Sequence, residues 1–197
     1  MIDPGIFGVL LGYLLGSIPF GFLLSQMAGV GDVRDIGSGN IGATNVLRTG
    51  KKGLAVATLL LDIGKGAAAV LIGGYFNPEL AAMAGFAAFL GHVFPVWLKF
   101  KGGKGVATFV GVLLALNWMV GLAVILTWVL VAIVFKTSSL SSLTAAIAGP
   151  FLTYFLVAPT PAMWVFLMTF VIIISHRENL KRLMNGSEPK IGSKSKK

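Results

Sequence analysis

The chain has 197 residues, 56% of them hydrophobic and only 12% charged, with a mean hydropathy of +0.88; soluble domains carry about 25% charged residues, so a water-soluble fold is excluded. It has no cysteine and only two histidines, His92 and His176, which removes disulfides, thiolate nucleophiles and Cys- or His-rich metal sites; no metal or organic cofactor is indicated. In such a chain the formal charge of +9 reports membrane orientation and attraction to anionic lipid or substrate, not nucleic acid.

A membrane-crossing helix needs about 20 mostly apolar residues. Apolar stretches of that kind run over 6–27, 54–76, 80–98, 106–116, 118–135, 143–157 and 163–175. They predict an all-α membrane protein with seven transmembrane helices. The first stretch has neither a basic n-region nor a small-residue cleavage site, so it is expected as a helix and not as a removable signal peptide. The fourth is short for a bilayer, and Gly102 to Gly105 is expected to continue into it. Trp97, Trp118, Trp128 and Trp164 fall mostly near stretch ends, where tryptophan anchors at the membrane interface.

All but one of the 16 Lys and Arg residues lie in alternate connections: Arg34, Arg48, Lys51 and Lys52, then Lys99, Lys101 and Lys104, then Lys136, then the C-terminal tail. Because cytoplasmic loops hold the basic residues, this alternation predicts the N-terminus outside and the C-terminus cytoplasmic. Residues 1–185 read as one membrane domain and 186–197 as a basic, flexible cytoplasmic tail. The exception, Lys65, lies three residues after Asp62 inside the second stretch, where unpaired charge is costly, so the two are expected to pair.

The first basic connection, Asp32-Val33-Arg34-Asp35-Ile36-Gly37-Ser38-Gly39-Asn40-Ile41-Gly42-Ala43-Thr44-Asn45-Val46-Leu47-Arg48, is richer in polar groups than a connector needs. Its Gly37-x-Gly39-x-x-Gly42 spells a dinucleotide fingerprint, yet no βαβ unit surrounds it. The mechanism behind such a motif still applies, because glycines let backbone N–H groups converge on a phosphate. Ser38, Asn40, Thr44 and Asn45 add side-chain donors, and Arg34 and Arg48 flank them.

The second, Gly91-His92-Val93-Phe94-Pro95 followed by Lys99-Phe100-Lys101-Gly102-Gly103-Lys104-Gly105-Val106-Ala107-Thr108, is not a Walker loop, since Gly105 stands where Ser or Thr is required. A glycine-flanked lysine at the start of a helix is nonetheless suited to phosphate. His92 beside such a site is read either as a general base or as a substrate ligand. Ser139 and Ser142 stand where helix capping is the ordinary explanation, with Ser142 a candidate for the same face. After the last stretch, His176, Arg177 and Asn179 offer further donors on that face.

Together, Gly-Ser-Gly-Asn-x-Gly-Ala-Thr-Asn-x-x-Arg, Gly-His-x-x-Pro with Phe-Lys-Gly-Gly-Lys-Gly-Val-Ala-Thr, and His-Arg-x-Asn-Leu-x-Arg-Leu resemble the PlsY family of bacterial acyl-phosphate:glycerol-3-phosphate acyltransferases over essentially the whole chain. The resemblance implies a seven-helix inner-membrane enzyme, active at the cytoplasmic face, that makes 1-acylglycerol 3-phosphate from acyl phosphate and glycerol 3-phosphate. It implies that Ser38, Gly39, Asn40, Gly42, Thr44, Asn45, Gly102 and Gly103 hold the acyl phosphate. Arg48, Lys104, Ser142, His176, Arg177 and Asn179 would hold glycerol 3-phosphate, with Ser38, His92 and Lys104 closest to the chemistry. Membrane lipid and a transient contact with the soluble enzyme that forms acyl phosphate are compatible partners.

Soluble-domain glycerolipid acyltransferases use His-x-x-x-x-Asp, whereas Trp97 and Lys181 stand five residues after His92 and His176. Phosphate is already a good leaving group, so the missing dyad is consistent with an activated donor. The rival reading is a phosphate or organic-anion transporter, disfavoured because the polar donors gather on one face and the two halves show no inverted repeat.

Overall fold

The computed structural model describes residues 4–37 and 39–192, and among them it holds ten α-helices and no strand. The stretch expected as one helix over 6–27 is divided into α1 (Pro4–Gly16) and α2 (Phe20–Met27). Pro19 causes the break: it has no N–H, and it biases Ile18 away from helical torsions. The chain tightens there, Ile18 N donating to Leu15 O at 3.2 Å, before the helix resumes. After α3 (Ala43–Leu47), α4 (Lys52–Phe76) runs 25 residues, about 37 Å at the α-helical rise.

The third stretch is shorter as a helix than expected, α5 (Ala81–Val93) with single 3-10 turns at Pro78–Leu80 and Val96–Leu98. Then come α6 (Val106–Leu116), α7 (Trp118–Phe135), α8 (Ser138–Leu156), α9 (Pro159–Ser175) and α10 (Arg177–Met184). Gly102 to Gly105 does not extend α6. Gly105 takes φ 85°, a left-handed torsion that a right-handed helix cannot propagate, and α6 begins only after it. α8 starts five residues before the expected 143, so Ser139 and Ser142 are helix interior and not caps. Within that helix the buried hydroxyls of Ser141 and Ser142 are satisfied by bonding back to the carbonyls of Thr137 and Ser138, both at 2.9 Å.

α4 is the central post, packed against α1, α5 and α6. Gly16 of α1 lies on the Ala88 carbonyl of α5, and Gly111 of α6 lies on the Ile63 carbonyl of α4, with no space for a Cβ at either. Small residues permit this closeness, which substitutes for a hydrophobic driving force between helices in lipid. Phe89, Phe109, Leu113, Met168 and Ile172 fill the core, while Leu126, Ile133, Phe155 and Phe166 point outward, as lipid-facing residues should. Pro150 leaves the Ala146 carbonyl without its helical donor, and Thr169 Oγ1 of α9 supplies one at 2.8 Å, locking α8 to α9.

Five segments are long and apolar enough to cross a membrane, the first formed by α1 and α2 together; a sixth is added if α9 and α10, bent by 61° at His176, count as one. α6, with 11 residues, is too short to cross by length alone. The seven expected stretches are thus all helical, but fewer than seven meet the length of a bilayer.

Candidate active site

The first loop has a small core of its own. Val33, Ile41 and Val46 are almost completely buried against Ala55, Phe22, Leu54 and Leu98. Asn45, expected as a donor to substrate, is the loop's internal brace: its amide nitrogen lies 2.8 to 2.9 Å from the carbonyls of Val33, Ile36 and Asn40. Asn40 turns its own Oδ1 to Gly42 N at 2.8 Å. Arg34 is held by Asp32, Nη2 to Oδ2 at 2.5 Å, and stacks over Phe22, so it is not an open cation.

The groups that face outward are different ones. Gly37 and Gly39 take left-handed torsions, Thr44 is exposed, and exposed Arg48 lies so close to Gly37 that a Cβ there would meet its Cδ and Nη1 at 2.7 Å. Ser38, named above as a catalytic and acyl-phosphate contact, lies outside the described residues.

The lysine loop is built differently. Gly102 N donates to Val93 O and Gly103 N to His92 O, both at 3.0 Å, so the loop is laid back along the end of α5. At Gly103 a Cβ would collide with the His92 imidazole, and at Gly102 with the His92 carbonyl. His92 is therefore beneath the loop, 4% exposed, with Nδ1 3.4 Å from Asp62 Oδ1. Asp62 also pairs with Lys65 at 2.8 Å, as the spacing predicts.

Lys104 emerges from this platform half-buried and bonds through Nζ to Asn179 Oδ1 of α10. Burial lowers its pKa; the nearby Glu188 carboxylate opposes that shift, and the positive charges of Arg182 and Arg48 reinforce it. The lysine loop, first loop and α10 thus bring their cations to one end of the bundle. His176, at the bend, is 3% exposed and has Nδ1 2.8 Å from Ile172 O. A carbonyl only accepts, so Nδ1 carries the proton and Nε2 is left as an acceptor. Burial lowers the His176 pKa to about 4, which makes the ring neutral at physiological pH.

Ser142 is buried in α8, where it receives Trp128 Nε1 at 3.1 Å; Trp128 is therefore bonded within the bundle and not an interface anchor. Arg177 is not brought into the cluster: its side chain is 73% exposed, beside Glu178 at 3.8 Å.

One group with an evident role escaped sequence reasoning. Glu188 accepts from Asn179 Nδ2 and Arg182 Nε, both at 2.6 Å. Burial alone would raise its pKa, but the donors around it, Ser139, Asn179 and Arg182, hold it below the usual value. The segment continues across the face, Ile191 N donating to Lys136 O at 2.7 Å and Lys190 Nζ to Phe135 O at 3.0 Å. The one available signal was Glu188 as the sole acid in a basic tail, a charge inversion that asks for a partner.

A cluster of lysine, arginine and amide donors with glycine loops beside it has the chemistry to hold an anion, and sequence comparison gives the chain a family. The family model described as glycerol-3-phosphate acyltransferase matches residues 6–186. The chain belongs to the glycerol-3-phosphate acyltransferase family. A relative of that name from Mesorhizobium japonicum is 60% identical over 96% of this chain and 97% of its own length. One from Brucella canis is 52% identical over 98% and 100%. Among solved structures, PlsY (YgiH), an integral membrane glycerol 3-phosphate acyltransferase in its glycerol 3-phosphate form, superposes with TM-score 0.91 at 38% identity, over 95% of this chain and 96% of that one. Its lysophosphatidic acid form superposes with TM-score 0.89 at 36% identity, over 95% of both chains. These family members share the helix arrangement on which Lys104, Asn179 and Arg48 are mounted.

Proposed function

We propose that this chain transfers an acyl group from acyl phosphate to the 1-hydroxyl of glycerol 3-phosphate, giving 1-acylglycerol 3-phosphate and phosphate, the first step of bacterial phospholipid synthesis. The observation that carries the reading is the meeting of Lys104, Asn179 and Arg182 from two separate elements, with Arg48 near enough to shift the lysine. A family relative solved in a glycerol 3-phosphate form and in a lysophosphatidic acid form supplies the matching substrate and product chemistry.

The hydroxyl oxygen attacks the acyl carbonyl carbon, the tetrahedral centre collapses, and the carbonyl-to-phosphate C–O bond breaks. Inorganic phosphate leaves with the hydroxyl proton, so atoms and charge balance without an acyl-enzyme. His92 is not the proton acceptor in this scheme: its ring is covered by Gly103 on one side and faces Asp62 on the other. Lys104 and Arg48 bind the glycerol phosphate, and His176, through Nε2, accepts from a glycerol hydroxyl. Ser38, Gly39 and the open amides of the first loop hold the acyl phosphate, while Asn45 keeps that loop in shape. Preorganised charge and fixed approach of two anionic substrates are the main catalytic effects.

The site lies at the cytoplasmic face of the bacterial inner membrane, because Arg48, Lys104 and Arg182 sit at the end of the bundle that holds the basic connections. Purified protein given glycerol 3-phosphate with acyl phosphate or with acyl-CoA tests the donor. Product is expected from acyl phosphate; product from acyl-CoA alone overturns it. Single cysteines at Glu79 and Ser193 test the orientation, since only Glu79→Cys should label in intact cells.

A further inference from the structure

The proposed mechanism leaves unused the most improbable group of residues in the molecule. Asp62, Lys65 and His92 are each 3 to 4% exposed inside helices that cross the membrane, where charge is costly. Packing does not require them, since α1, α4, α5 and α6 already approach through Gly16 and Gly111. Their contacts run in two directions. Lys65 Nζ, paired with Asp62, donates to the Ile18 carbonyl at 2.8 Å, within the α1–α2 break, and lies 5.6 Å over the Phe20 ring that opens α2. One residue on, Gly21 is pressed against the Ile41 carbonyl of the first loop. In the other direction Asp62 Oδ1 faces His92 Nδ1, and the opposite edge of that ring supports Gly103, next to Lys104.

We infer that Asp62 is a positioning residue that sets the first loop and the lysine loop relative to each other, acting on one through Lys65, Ile18 and α2 and on the other through His92 and Gly103. The inference rests on the reading of these loops as binding acyl phosphate and glycerol 3-phosphate. Asp62 touches neither substrate. A single carboxylate oxygen, 2.8 Å from the lysine as an ion pair and 3.4 Å from the histidine as a longer contact without a hydrogen bond, brings both branches to one point on α4. Misplacing a substrate-holding group by about an ångström costs up to about a hundredfold in rate, so the distance between the two loops is the quantity such a tie protects.

The test is a set of variants in the full-length protein with three readouts: melting temperature, KM for each substrate, and equilibrium binding of glycerol 3-phosphate. Lys65→Gln is expected to raise mainly the KM for acyl phosphate, and His92→Gln mainly that for glycerol 3-phosphate. Asp62→Asn should raise both and lower kcat/KM by roughly 10- to 100-fold. Thr169→Val, which loosens α8 from α9 away from both loops, gives the matching control: a lower melting temperature with both KM values unchanged.

If Asp62→Asn lowers only the melting temperature, or if Lys65→Gln and His92→Gln shift both KM values in equal proportion, Asp62 is structural and the inference fails. If wild type binds no glycerol 3-phosphate, the proposed function fails first and takes the inference with it. Wild-type binding with undiminished binding by Asp62→Asn removes the inference alone.

Discussion

The two glycine-containing loops are held in shape by opposite routes. The first loop encloses Val33, Ile41 and Val46 and spans its own carbonyls with the Asn45 amide, so its shape is largely internal. The lysine loop has no core. It lies on the end of α5 through two backbone bonds and on the His92 ring through Gly103, so its shape is borrowed from the helix beneath. A self-contained loop presents many weak donors to a ligand, whereas a borrowed one presents a single ammonium at a fixed height. Under the proposed function, the first arrangement would suit a large acyl donor and the second a small acceptor.

The contrast is broken most severely at Lys104. Lys104→Ala should lose about 2 to 4 kcal/mol of transition-state stabilisation, read in kcat/KM, while the melting temperature stays near wild type; near-normal kinetics would remove the ammonium from the site. In the first loop the comparable deletion acts on the fold instead. Asn45→Ala removes an amide whose two N–H groups are shared among three carbonyls, each full bond worth roughly 1 kcal/mol, so about 2 kcal/mol of stability and a raised KM for acyl phosphate are expected, with the KM for glycerol 3-phosphate little changed.

Gly103→Ala and Gly39→Ala sharpen the difference between the loops. Gly103 has no room for a Cβ, so the His92 ring or the loop must move and the glycerol 3-phosphate KM should rise at least about tenfold. Gly39 has room, its added Cβ meeting only the Arg34 carbonyl at 3.4 Å, but its φ of 68° costs about 1 kcal/mol for a non-glycine residue. A larger effect at Gly39 than at Gly103 would reverse the comparison.

The smallest effect is a titration beside both loops. His176 has a folded pKa of about 4, below its value of 6.5 when exposed. The neutral ring is favoured in the folded state, so its contribution is complete above pH 6.5 and declines as pH falls toward 4. Between pH 7.5 and 5.5 this amounts to about 1 kcal/mol of lost stability. His176→Gln should flatten that part of a melting-temperature profile; an unchanged slope would place the titration elsewhere.

Reading the sequence located the glycine loops, Lys104 and the pairing of Asp62 with Lys65, because each is a local pattern of spacing and charge. It did not separate braces from contacts. Asn40, Asn45 and Arg34 look as available as Arg48 in one dimension, and only the folded loop shows that the first three are already engaged. Ser142 was expected at a helix end but lies inside α8, where its hydroxyl is satisfied by the Ser138 carbonyl one turn back, a partner that exists only once the helix has formed. Glu188 was passed over in a basic tail because its partners, Asn179 and Arg182, meet it only once the chain turns back.

By itself, then, the sequence determined that this is a helical membrane protein with a cationic, phosphate-suited end, because apolar length and basic residues act over a few neighbouring positions and need no partner. Pro19 is as local a signal, but the sequence reading expected an unbroken helix over 6–27 and missed the break there. Only the tertiary structure decided that the Ile18 carbonyl is taken by Lys65, that His92 lies under the lysine loop, and which donors remain open toward a ligand. These depend on which atoms meet across helices, where a buried polar group must find a specific partner and spacing along the chain does not name it.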